Sequence, residues 1–106
     1  MQYQITVESG DRTAARWIVE IYAENADDNI PIRWDETGLI GRVELADGFH
    51  QMTITARSGQ SVSVSLRPSP TIFSPPGLQW PVSVTAAAGM GNQADKTVHF
   101  LTGAGA

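Results

Sequence analysis

Three tryptophans and two histidines carry most of the recognition and acid–base chemistry open to this chain. Trp34 stands between Arg33 and Asp35-Glu36, at the mouth of a polar turn, and Trp80 stands between Gln79 and Pro81, after a proline-rich stretch. Trp17 lies among Ile18, Val19 and Ile21 and reads as core. If Trp34 and Trp80 are exposed, two chemistries compete. Flat aromatic rings stack on sugar rings. Alternatively, with Ile72, Phe73 and Leu78, they form an apolar patch against another protein, where aromatic anchors carry most of the binding energy. Plain packing competes with both, since a small sandwich readily consumes three tryptophans in its core.

The remaining constellations point away from catalysis. His50 and His99 are far apart in sequence, and zinc wants three or four ligands. The absence of cysteine excludes disulfides, thiolate metal sites and a cysteine nucleophile. Serines 58, 61, 63, 65, 69 and 74 include none in a Gly-x-Ser-x-Gly elbow. The acidic neighbours Asp27-Asp28 and Asp35-Glu36 fall in turns, where Asp bonds its own backbone. Glu24, Asp27, Asp28 and Asn29 offer only oxygen donors in one loop and make a weak calcium candidate. They lack the glycine and distal glutamate of an EF-hand. Gly89-Met90-Gly91 lacks the lysine of a phosphate cradle. No cofactor, no firm metal site and no enzyme activity are expected.

Composition narrows the class of partner. Seven basic and eleven acidic residues give a net charge of −4, which argues against a phosphate-backbone ligand. Hydrophobic residues are 42% and charged residues 17%, against about 25% charged in an average soluble chain, so an ordered core is expected. No apolar run approaches the roughly 18–20 residues of a membrane span, and the N-terminus shows no basic-then-apolar leader. Synthesis in the cytoplasm is expected, with assembly or export afterwards left open.

The elements that must position these residues show period-two alternation. Tyr3, Ile5 and Val7 share one face of a strand. Trp17–Ala23 is apolar on both faces and reads as a central strand. Ile30, Ile32 and Trp34 alternate up to a turn at Asp35-Glu36-Thr37-Gly38. Leu39, Gly41, Val43 and Leu45 follow, and the tight-turn dipeptide Asp47-Gly48 leads into His50, Met52, Ile54 and Ala56. After Ser58-Gly59, Val62, Val64 and Leu66 alternate with a wet face of serines 61, 63 and 65. The stretch 68–77 holds four prolines and is expected to stay outside any sheet. Leu78, Trp80, Val82 and Val84 alternate again, and Thr97–Phe100 closes the series. The expected fold is all-β: a single antiparallel β-sandwich of seven or eight short strands over residues 1–102, with a flexible tail at 103–106.

The segment from Val19-Glu20-Ile21-Tyr22, through Thr37-Gly38 and Val43–Ala56 with its Asp47-Gly48-Phe49 step, to Gly59 and Val62–Leu66 carries a loose family pattern. It resembles the transthyretin-like sandwich of carboxypeptidase-regulatory and related surface modules. Immunoglobulin-like repeats share its Asp-Gly-aromatic opening. The likeness covers about half the chain and implies a non-catalytic module. The functional expectation is therefore a protein-binding or assembly module, a structural or accessory protein of the kind found in a virion or surface assembly. It would dock through the proline-rich segment 68–80, using Ile72, Phe73, Leu78, Trp80 and Trp34. The expected partner is another protein or copies of the same chain, with neither nucleic acid nor membrane. The alternatives are a carbohydrate- or calcium-dependent ligand module, and an inhibitor presenting the proline-rich loop to an enzyme.

Overall fold

The structure is a computed structural model that describes residues 1–9 and 17–103. Among the described residues nine strands run in chain order: β1 Gln2–Ser9, β2 Trp17–Ala23, β3 Arg33–Trp34, β4 Ile40–Glu44, β5 Gly48–Arg57, β6 Ser61–Arg67, β7 Thr71–Ser74, β8 Val82–Thr85 and β9 Gln93–Thr102. They form two antiparallel sheets, β3-β4-β1-β6-β8 and β2-β5-β9-β7, packed face to face. The described residues include no helix. The β-sandwich expected from the alternation is thus present, with one or two strands more than anticipated. The stretch 10–16, where the β1 alternation was expected to break at Gly10-Asp11, and the tail residues 104–106 lie outside the described residues. Gly103 is half-buried against Asp47.

Alternation dictates which side chains meet. Tyr3, Ile5 and Val7 of β1, Val62, Val64 and Leu66 of β6, and Val82 and Val84 of β8 point inward from the five-stranded sheet. They face Val19 and Ile21 of β2, Met52, Ile54 and Ala56 of β5, and Val98 and Phe100 of β9. Register keeps these residues in rows: Ile5 lies opposite Gly41 and Leu66, and Met52 lies opposite Ile21 and Val98. A one-residue slip would turn every one of them to water, so the buried interior fixes the pairing.

Among the described strands, seven of the eight successive pairs lie in different sheets, and β3 and β4 are the one pair of consecutive neighbours in the same sheet. That hairpin is built by Asp35, whose carboxylate accepts from the Thr37 backbone N–H and hydroxyl, while Gly38 takes a φ of +72°. The Thr37 hydroxyl in turn holds the Asp35 carboxyl below the usual carboxylate range. Asp47-Gly48 does not close a hairpin. β4 and β5 belong to different sheets, and Gly48, at φ +135°, turns a corner between them. Thr102 Oγ1 ties that corner by donating to the Ala46 carbonyl at 2.8 Å. Beside it the buried His50 ring stacks on Phe100 at 5.6 Å and shares its Nδ1 with the Gly48 carbonyl at 3.2 Å. Burial lowers the His50 pKa and favours the neutral ring.

Two further expectations need correcting. β2 is an edge strand, not a central one. Its second apolar face, with Ile18 and Tyr22, lies on the outside of the four-stranded sheet, where other large apolar side chains also stand. Part of its free edge is covered, because Ile30 N–H donates to the Ile21 carbonyl at 2.7 Å and Asn29 bridges to Tyr22. The proline-rich stretch, in turn, is not outside the sheets. Its proline-free centre, Thr71–Ser74, is β7 and pairs with β9. The prolines at 68, 70, 75 and 76 bracket the strand instead of interrupting it, as suits a short sheet edge.

Candidate functional site

The outer face of the four-stranded sheet brings two half-exposed phenylalanines together. Phe49 falls on the outward parity of β5, between inward-facing residues, and lies opposite Leu101 of β9. Register shifts between Ile72 and Ser74 leave Phe73 as the unpaired residue beside His99, in the manner of a β-bulge that aims a side chain. The Phe49 and Phe73 rings meet edge to face at 5.3 Å, yet they remain 53% and 46% exposed. His99 lies tilted against Phe73 at 6.0 Å, and its Nδ1 is 3.9 Å from a Glu24 carboxylate oxygen. Glu24 is placed by its own backbone N–H, which donates to the Phe49 carbonyl at 3.0 Å. Glu24, Phe49, Phe73, Ser74 and His99 line an open depression of about 480 Å³. Its chemistry is an apolar aromatic floor with one carboxylate and one imidazole at the rim.

The residues expected to share a docking patch are divided by the fold. Phe73 is on the surface just described, whereas Ile72, Leu78 and Trp80 are half-buried and pack on the core. Trp80 stands edge-on to Phe100 at 5.8 Å and donates its indole N–H to the Pro70 carbonyl at 2.8 Å. Trp34 is remote from all of these. It lies on β3, at one edge of the five-stranded sheet, while Trp80 precedes β8 at the other edge. Four strand spacings separate those edges, roughly 19 Å, so the two rings cannot form one stacking platform. Trp34 instead meets Trp17 edge to face at 5.6 Å and lies over Gly41, where a side chain would collide with it. With Ile18, Val19 and Gly38, the two rings border a second open depression of about 340 Å³.

The loop of Glu24, Asp27, Asp28 and Asn29 is exposed throughout. Among the described residues no three Asp, Glu or His side chains converge as metal ligands would. His50 and His99 are in register neighbourhoods of β5 and β9 but face opposite sides of that sheet, one buried and one on the outer face. Serines 61, 63 and 65 form a wet face as expected, and two of them pair across strands: Ser61 with Thr85 at 2.8 Å and Ser63 with Ser83 at 2.7 Å. Sequence reasoning did not single out Phe49 for the site. The available signal was its parity, since it shares the outward side of β5 with Gln51 and Thr53. Comparison with family models, with curated proteins and with solved structures finds no match.

Proposed function

We propose that this chain is a non-catalytic protein-docking and assembly module, and that its docking surface is the outer face of the four-stranded sheet around Phe49 and Phe73. The carrying observation is that two large aromatic rings, already in contact, stand about half exposed on a sheet face. Fully covering an aromatic side chain removes about 150–250 Å² from water, so leaving two open costs solubility without a partner. Strands of seven, ten, ten and four residues, at about 3.3 Å per residue and 4.8 Å between strands, give this face a footprint of roughly 500 Å². That is over half of the roughly 800 Å² per partner of a standard interface. A second copy is the occupant this surface suits, because sheet faces pack on one another and a two-fold axis brings each phenylalanine pair onto its equivalent. Glu24 and His99, 3.9 Å apart within one chain, then border the seam. The transthyretin-like or immunoglobulin-like resemblance fits a module of this kind.

Sedimentation over a range of concentrations tests the reading. Concentration-dependent dimers are expected, and the double variant Phe49→Ser with Phe73→Ser should be monomeric while keeping its cooperative unfolding. A wild-type chain that stays strictly monomeric at millimolar concentration would refute self-assembly through this face.

A further inference from the structure

On the opposite side of the sandwich, a groove crosses the outer face of the five-stranded sheet between β1, β6 and the Trp80–Pro81 step that leads into β8. We propose that this groove binds a neutral saccharide, independently of the phenylalanine surface. Register orders its floor in three rows: Glu8 opposite Ser63, Thr6 opposite Ser65, and Gln4 opposite Arg67. Successive rows are two residues apart, so the rows that carry Glu8 and Arg67 are roughly 13 Å from each other along the strands. Thr6, Glu8, Ser63, Ser65, Arg67 and Trp80 are among the residues that enclose about 270 Å³. That is near the lower bound of roughly 300 Å³ for small-molecule pockets, the scale of one or two sugar rings.

Three features select the ligand class. The floor is hydroxyl-rich, and a hydroxyl that makes one hydrogen bond, as Ser63 does with Ser83, keeps further donor or acceptor capacity. The two ends carry opposite charges. Glu8 accepts from ligand hydroxyls and Arg67 donates to them, and the span of roughly 13 Å between their rows suits a ligand longer than a lone phosphate. The wall is aromatic and fixed in advance, since Trp80 is held by its bond to the Pro70 carbonyl and backed by Phe100. A rigid indole beside a polar floor matches a ring with one C–H face and a rim of hydroxyls, and the ordering cost of the wall is already met in the free protein. An apolar peptide would leave the hydroxyls and both charges unpartnered.

Tryptophan fluorescence is titrated with maltose, cellobiose, lactose and chitobiose, and with sodium phosphate as the anionic control. At least one disaccharide should shift the emission with a Kd of about 1 mM or tighter. Glu8→Gln and Arg67→Gln, both on exposed side chains, should each weaken it roughly tenfold. The Phe49→Ser, Phe73→Ser double variant should bind as the wild type does, which separates this site from the docking surface. Silence across all four sugars at about ten times that concentration, a response to phosphate alone, or full retention of binding in both charge variants would each overturn the proposal.

Discussion

The outer face of the five-stranded sheet carries Thr6, Ser61, Ser63, Ser65, Ser83 and Thr85 beside Ile40, Arg42 and Arg67, while that of the four-stranded sheet carries Ile18, Phe49 and Phe73 beside the hydroxyl pair Thr53–Thr97. Both faces arise from the same period-two alternation over one shared core. On the first, cross-strand neighbours satisfy each other by hydroxyl bonds, as in Ser63–Ser83 and Ser61–Thr85. On the second, Phe49 and Phe73 touch each other and still leave half their surface to solvent. A hydroxyl face is content in water and selects polar ligands. An aromatic face gains by being covered. The contrast fits two kinds of recognition on two sides of one small domain, and changes at shared and unshared supports reveal how separate those sides are.

The largest effect is expected where the two faces share support. Phe100 is fully buried, backs Trp80 on one side and stacks under His50 on the other. Phe100→Ala should cost about 3–5 kcal/mol in urea unfolding, the range for emptying a large buried ring. It should also redden tryptophan emission before the main transition, as Trp80 loses its backing. A loss below about 1 kcal/mol would mean that the core collapses around the gap and that Trp80 is held by the Pro70 bond alone.

A smaller effect is expected at the edge that carries Trp34. A methyl on Gly41 would lie 2.8 Å from Ile32 Cγ2 and 3.0 Å from Trp34 Cε3, both closer than packing allows. Gly41 does not occupy the left-handed region, so alanine brings no backbone strain there and even narrows the unfolded ensemble, worth about 0.4–1 kcal/mol in its favour. Overpacking of roughly 1–3 kcal/mol should exceed that gain. Gly41→Ala should therefore unfold at lower urea, with altered tryptophan emission and unchanged self-association. Increased stability with unaltered emission would show that Ile32 and Trp34 do not rest on Gly41.

The fold class was legible because inward positions such as Ile5, Val64, Met52 and Val98 recur at every second residue. Sheet membership was not. Asp47-Gly48 has the same local chemistry whether it closes a hairpin or turns a corner between sheets, and only the long-range pairing of β5 with β9 decides. β7 was hidden by the prolines that flank it, which exclude a sheet interior but allow an edge. Trp80 was read as belonging to a strand. It lies two residues before β8, half-buried between Phe100 and the groove over β6. Of the candidate patch, only Phe73 reached the phenylalanine surface, because Ile72, Leu78 and Trp80 pack against the core elsewhere. Phe49 could have been found by asking which apolar residues interrupt a polar parity.

The smallest predicted effect separates the chemistry of the two faces most directly. Ser63 and Ser83 bond across β6 and β8 at 2.7 Å on an exposed surface, where water competes for both hydroxyls. Cross-strand polar pairs of this type contribute about 0.2–1 kcal/mol. A double-mutant cycle with Ser63→Ala and Ser83→Ala isolates that coupling, because neither change leaves a buried group unsatisfied. The β8 edge keeps Val82 and Val84 in the core whichever alanine is present, so the strand should stay paired. Coupling inside that range would show the hydroxyl face to be a polar surface that adds little to the fold and is free to serve ligands. Coupling beyond about 1.5 kcal/mol, above what such pairs supply, would make the serine rows a structural clamp and remove the distinction between a face built to be wet and a face waiting to be covered.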